Sequence, residues 1–273
     1  MKTLYVSDLD GTLLRSDQRT SEYTNRVVND LVARGVHFSY ATARSYNTSH
    51  KVTAGMTAPF PIIIYNGAFV RDNATGQLLL TNFYEKEAAA PLIRDLTAHG
   101  ISPIVYAYVD GIERFSYNAD TVSGGARDFI DTRHGDSRDR PVTDMESLLE
   151  GDIFYVTCID LPEKLEPVYR KYDPVFRCLY QKDIYSGDQW LEIMPRDTSK
   201  AAAAKKLKAL LSCDRLVVFG DAVNDLDLFL IADEAYAVAN AVPELKAAAT
   251  GVIGGNDEDG VAKWLCENVG NAL

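Results

Sequence analysis

Lys2-Thr3-Leu4-Tyr5-Val6-Ser7-Asp8-Leu9-Asp10-Gly11-Thr12 opens the chain, and the reading of this stretch decides the fold. Residues 2–7 are rich in β-formers and too few for a helix, which predicts a short buried strand. The strand runs directly into Asp8 and Asp10, two carboxylates on either side of Leu9, and then into Gly11, which permits a sharp turn. In an open α/β sheet, functional groups collect beyond the carboxyl ends of the parallel strands. Two acids placed there need a cation or a shared proton to coexist. The pattern suits one carboxylate as nucleophile and the other as acid/base, with a hard metal ion between them. An Asx-type turn after an edge strand would read the same way locally, so the rest of the chain has to discriminate.

Working outward, Ser21 precedes a helical pattern in which Val27, Val28, Leu31 and Val32 share a face, stopped at Arg34-Gly35. Residues 36–41 form the next strand, completing a βαβ unit, with Thr42-Ala43-Arg44 at its end. A helix over 46–54 and a buried strand over 62–65 follow, and Asn66-Gly67 stops that strand. The pattern then changes to a hairpin around 72–76 and to mixed strands and helices through residue 181, with 120–140 unassigned. The parallel pattern is expected to resume with the apolar run 190–194, then an alanine-rich helix, a strand over 216–220 ending at Asp221, and further βα elements. The fold class expected is therefore α/β. A Rossmann-like parallel-sheet core is built from residues 1–81 and 188–273, and an α+β domain over 82–187 is inserted in it.

Composition narrows the function classes. The chain has 273 residues, of which 47% are hydrophobic and 25% charged, as in a globular protein able to bury a core. A net charge of -11 argues against nucleic-acid binding and requires that any anionic substrate be drawn by a local positive feature. Asp8 and Asp10 interrupt the first apolar run too early for a secretory signal, and no stretch suggests a membrane span. Cys158, Cys178, Cys213 and Cys266 are scattered, which predicts free buried thiols in a reducing, cytoplasmic setting. His37, His50, His99 and His134 are isolated and receive no role.

Three later strand ends supply what phosphate chemistry needs. Thr42 offers a hydroxyl and backbone N–H groups at a helix start, a natural anion site although also an ordinary cap. Lys200 lies beside the start of the alanine-rich helix expected over 198–211 and can reach an anion as a point charge, or can be a solvated helix lysine. In Gly220-Asp221-Ala222-Val223-Asn224-Asp225, the residues Asp221, Asn224 and Asp225 fall at i, i+3 and i+4 around a helix start. Oxygen donors clustered in this way suit Mg2+.

Taken in order, Asp8-Leu-Asp-Gly-Thr, Thr42, Lys200 and Gly220-Asp-Ala-Val-Asn-Asp225 resemble the motifs of the haloacid dehalogenase superfamily. Asn66-Gly67-Ala68, Asn240-Ala241 and Asp259-Gly260-Val261-Ala262 extend the resemblance to its Cof-type branch, over nearly the whole chain. The resemblance implies a core with an inserted type IIB (C2B) cap and a phosphatase acting on small phosphomonoesters such as sugar phosphates. It implies that Asp8 becomes an aspartyl-phosphate and that Asp10 serves as acid and then base. Mg2+ is then held by Asp8, Asp221 and the backbone carbonyl of Asp10. Thr42, Ala43 and Lys200 bind the phosphoryl oxygens with support from Asn224, and Asp225 and Arg44 stand behind them, Asp225 orienting Lys200 or the metal's ligands. Two departures stand out: Thr42-Ala43-Arg44 replaces the family's Thr-Gly-Arg, and Asp197-Thr-Ser-Lys-Ala201 replaces its Gly-x-x-Lys-Gly.

The partner expected is a small phosphorylated metabolite, with no nucleic acid and no membrane, and the chain is expected to be a monomer or weak homodimer. A phosphosugar mutase and a non-catalytic phospho-ligand binding protein are the alternative readings. Residues 82–187 are expected to select the substrate, with 183–188 as either a substrate loop or a return linker.

Overall fold

The structure, a computed structural model, describes residues 1–182 and 186–270, so residues 183–185 of the expected substrate loop lie outside the described residues. The chain divides into two compact units, one formed by Met1–Thr81 with Ser199–Leu273 and the other by Asn82–Thr198.

The first unit starts with β1 (Thr3–Asp8), in which Leu4 and Val6 are fully buried. Helix α1 (Glu22–Ala33) begins where the Ser21 hydroxyl accepts the Thr24 N–H at 2.9 Å, satisfying a donor that the helix cannot. Thr24, Val28 and Leu31 form its buried face. Then come β2 (His37–Ala41), α2 (Tyr46–Val52), β3 (Pro61–Ile64) and the hairpin of β4 (Phe69–Asp72) and β5 (Leu78–Thr81).

The second unit contains α3 (Lys86–Ala98), β6 (Ile104–Val109), β7 (Ile112–Asn118), α4 (Gly124–Asp131) and β8 (Asp139–Val142). It continues through β9 (Asp152–Ile159), α5 (Pro162–Tyr172), β10 (Arg177–Lys182) and β11 (Gln189–Met194). Back in the first unit are α6 (Lys200–Leu210), β12 (Arg215–Gly220), α7 (Leu226–Ile231), β13 (Glu234–Val238), α8 (Pro243–Ala248), β14 (Gly251–Ile253) and α9 (Gly260–Leu265).

The first unit's sheet has the order β14-β13-β12-β1-β2-β3-β4-β5. All its pairings are parallel except those of the β3-β4-β5 meander. Strand β1 is central, with β2 on one side and β12 on the other, so the strand order reverses at β1. A crevice opens at such a switch point beyond the carboxyl ends of the strands.

The second unit's sheet has the order β10-β11-β9-β6-β7-β8 and is antiparallel apart from β7 with β8. Leu92, Ile93 and Leu96 of α3 and Leu165 and Val168 of α5 pack with Val105, Val156, Cys158, Leu191 and Ile193 of this sheet. This places an α+β layer in the insertion.

Here the structure corrects the sequence reading. The run 190–194 is not a strand of the parallel sheet: β11 lies between β10 and β9 with Leu191 opposite Cys158 and Ile193 opposite Val156. The return to the first unit accordingly falls after Thr198 and not at 188. A run buried on both faces reads alike in parallel and antiparallel sheets, and only pairing partners distinguish the two. A second correction concerns Cys266, which is exposed while Cys158, Cys178 and Cys213 are buried and free as expected. Among the described residues no helix is long and apolar enough to cross a membrane.

Candidate active site

Strand β1 delivers Asp8 to the switch point almost fully buried, and the chain then turns over Leu9–Leu13. Leu9 is fully buried and anchors the turn, so Asp8 and Asp10 diverge on either side of it, with the Asp10 side chain 43% exposed. Gly11 adopts φ +75, in the left-handed region that a side chain disfavours. A Cβ on Gly11 would also lie 2.4 Å from Asp221 Oδ2, so the glycine is what lets Asp221 approach the turn. Asn240 Nδ2 closes the turn by donating to the Gly11 carbonyl at 2.7 Å.

Strand β12 brings Asp221 to the same place from the other side of β1. Its Oδ1 accepts the Thr12 hydroxyl at 2.9 Å. Asp225 is fully buried, and its Oδ2 accepts the backbone N–H of Asp221 at 3.2 Å and of Ala222 at 3.3 Å. These bonds fold the turn back on itself and leave Asp225 Oδ1 for Lys200 Nζ, at 2.8 Å. Lys200 is the first residue of α6, which the Ser199 hydroxyl caps by accepting the Ala202 N–H at 3.0 Å. The lysine is buried, and its ammonium also donates to Asp8 Oδ1. Gly67 permits this placement, since a Cβ there would lie 2.2 Å from the Ser199 carbonyl oxygen.

Carboxylate oxygens of Asp8, Asp221 and Asp225 lie within 4.8 Å of one another. One ammonium faces three acids, and the imbalance shows in their protonation. Burial, reinforced by Asp225 and Asp221, pushes Asp8 well above the ordinary carboxylate range despite Lys200. Burial and the Asp225 charge raise Asp221 to about 6. Burial alone would lower the Lys200 pKa, but Asp225 and Asp8 outweigh it and keep the ammonium charged. A divalent cation would relieve this excess negative charge, and an all-oxygen donor set suits a hard ion. Asp225 is committed to Lys200 and two backbone amides, so Asp8 and Asp221 are the carboxylates that fit such an ion.

On the β2 side, Thr42 is buried and its N–H donates to the Ile63 carbonyl at 2.9 Å. That N–H is therefore unavailable to an anion, contrary to the simplest reading of the strand end. The Thr42 hydroxyl accepts the Arg44 N–H at 3.1 Å and keeps its own hydrogen to donate. The exposed Ala43 N–H makes no hydrogen bond among the described residues, so the turn presents one hydroxyl and one amide. The Arg44 side chain grips Asp10, with Nε to Oδ2 at 2.9 Å and Nη2 to Oδ1 at 2.6 Å.

The structure thus gathers Asp8, Asp221, Asp225 and Lys200 in direct contact or near contact and joins Asp10 to Arg44. It does not join Asn224 to the cluster, because that side chain is exposed and makes no hydrogen bond among the described residues. Thr12, Gly67 and Asn240 received no role from sequence reasoning. Membership of quoted motifs was the only sequence signal for them, because their parts are a hydroxyl, a missing Cβ and an amide that act on residues far along the chain.

Fold and site define an α/β enzyme with its acids at the switch point of a parallel sheet. The chain belongs to the haloacid dehalogenase-like hydrolase family, whose sequence profile matches residues 5–265. It is 24% identical to YitU of Bacillus subtilis, named 5-amino-6-(5-phospho-D-ribitylamino)uracil phosphatase, over 97% of this chain and 96% of that protein. YwtE of the same organism bears the same activity name and is 26% identical, covering 97% of each chain. The crystal structure of TM0651 from Thermotoga maritima superposes with a TM-score of 0.79 at 26% identity, over 98% of this chain and 97% of that one.

Proposed function

We propose that the chain is a Mg2+-dependent phosphatase of small phosphomonoesters that works through an aspartyl-phosphate on Asp8. The observation that carries this reading is the buried Asp8 carboxylate, held at Oδ1 by Lys200 with Asp221 and Asp225 close by. Lys200 leaves Oδ2 of Asp8 to attack phosphorus in line. The Thr42 hydroxyl, the Ala43 N–H and the Lys200 ammonium are the donors for the phosphoryl oxygens, with Asn224 in reach of a role only on ligand binding. Asp10 delivers a proton to the departing alcohol and later accepts one from the water that hydrolyses the intermediate. Mg2+, held by Asp8, Asp221 and the Asp10 carbonyl, would supply charge neutralisation at the phosphoryl group. Asp225 keeps Lys200 aligned.

The activity names of YitU and YwtE favour a small phosphorylated metabolite, and the unit Asn82–Thr198 is the part we assign to choosing among leaving groups. The test is phosphate release from a panel of sugar phosphates, flavin mononucleotide, pyridoxal phosphate and 5-amino-6-(5-phospho-D-ribitylamino)uracil, with Mg2+ or with EDTA. Asp8→Asn should cut turnover by at least about 10³-fold while far-UV circular dichroism is unchanged. Substantial turnover in that variant, or no release by the wild type from the whole panel, overturns the proposal.

A further inference from the structure

Asp10 has to present its carboxyl in one orientation twice, yet nothing in its own backbone provides that. It lies on extended backbone (φ -71, ψ 122) before Gly11, partly exposed, where a carboxylate would ordinarily sample several rotamers. Among the described residues its side-chain hydrogen bonds all come from Arg44. The guanidinium meets it edge-on, Nε to Oδ2 and Nη2 to Oδ1, the planar fork that fixes the plane of a carboxylate as well as its position. A lysine cannot do this, and the site uses Lys200 on Asp8, where a point charge suffices.

Arg44 is itself held by its backbone. Its N–H donates to the Thr42 hydroxyl at 3.1 Å, and its carbonyl accepts the Tyr65 N–H at 3.0 Å. The Thr42 carbonyl accepts the Asn66 N–H at 2.9 Å. Tyr65 and Asn66 both adopt positive φ, +50 and +52, so two non-glycine residues are held in the left-handed region to brace this turn. The turn that presents Thr42 and Ala43 therefore also carries the clamp on Asp10.

We infer that Arg44 is a positioning residue that orients Asp10 for proton transfer, an inference that rests on the phosphatase reading above. In the first step the Asp8 oxygen–phosphorus bond forms, the phosphorus–ester oxygen bond breaks, and the proton on Asp10 passes to the departing oxygen. In the second the water oxygen bonds to phosphorus, the Asp8 bond breaks, and the water's proton returns to Asp10. A leaving group that is a stable anion does not need the first proton transfer but still needs the second. Loss of the clamp should therefore depend on the leaving group, which a general loosening of the site would not produce.

The experiment compares wild type, Arg44→Ala and Arg44→Lys, each with Mg2+, on an alkyl phosphate that the wild type hydrolyses and on p-nitrophenyl phosphate. On the alkyl ester, Arg44→Ala should lower kcat by about 10²-fold, with KM little changed. On p-nitrophenyl phosphate it should release one equivalent of p-nitrophenolate per enzyme rapidly and then turn over slowly. Added guanidinium should restore part of the loss, and Arg44→Lys should fall between the two. Equal losses on both substrates with no burst and no rescue, or an effect confined to KM, overturn the inference while leaving the phosphatase reading intact. A wild type inactive on both substrates removes that reading, and this inference with it.

Discussion

At the scale of the residue, the site is a problem in burying charge. Lys200, Asp8 and Asp225 are all almost fully removed from water, and such groups are tolerated only when paired and hydrogen-bonded. Asp225 meets this condition with Lys200 and two amides, which explains why it is the acid best adapted to a structural role. Replacing the lysine leaves two carboxylates facing each other without a cation. Lys200→Met should therefore destabilise the protein by about 3 to 5 kcal/mol in urea unfolding. The double variant Lys200→Met/Asp225→Asn should recover part of this loss, because one of the orphaned charges is gone. Strict additivity of the two substitutions would show that the ion pair carries no coupling.

At the scale of the element, β11 shows how one strand serves two layers. Leu191 and Ile193 face the helices α3 and α5, while Glu192 between them points to the opposite face and accepts the Tyr155 hydroxyl at 2.8 Å. Burial pushes Glu192 up to about 7, with the Tyr155 hydrogen bond opposing the shift only in part. A folded-state pKa above the unfolded one contributes stability that is fully present below the unfolded value and is lost as pH rises through the folded value. Glu192→Gln keeps the acceptor for Tyr155 without the titration. Its urea midpoint relative to wild type should accordingly improve steadily between about pH 4.5 and pH 8. A constant difference across that range would mean that Glu192 is ionised in the fold at no cost.

At the scale of the whole molecule, a chain with net charge -11 holds its excess negative charge partly at one point, between Asp8, Asp221 and Asp225. A cation bound there joins the folded state and not the unfolded chain, so it should stabilise by mass action. At about a hundred times its dissociation constant, Mg2+ should add about 2.7 kcal/mol. The melting temperature of the wild type should thus rise when EDTA is replaced by Mg2+, and Asp221→Asn should abolish the rise. An equal rise in the variant would place the ion elsewhere.

Much of this arrangement is legible in the linear chain because its signals are local. Strand β1, the Ser21 cap, β2 and β12 are set by runs of β-formers and a capping side chain, all read within a few residues. The acids Asp8, Asp10 and Asp221 were legible because each stands at the carboxyl end of a strand or within two residues of it. The three residues of β14, between Thr250 and the glycines 254 and 255, carry too little pattern to be read, and α4 is hidden in a polar stretch. Pairing is not local. Whether 190–194 joins a parallel or an antiparallel sheet depends on β9 and β10, and the hold of Arg44 on Asp10 depends on a turn braced by Tyr65 and Asn66. Sequence by itself determined which residues carry charge and where strands end, because both are properties of neighbours in the chain. Tertiary structure decided which carboxylate meets Lys200, which amide remains free and which sheet receives β11, because contacts between distant segments set each of these.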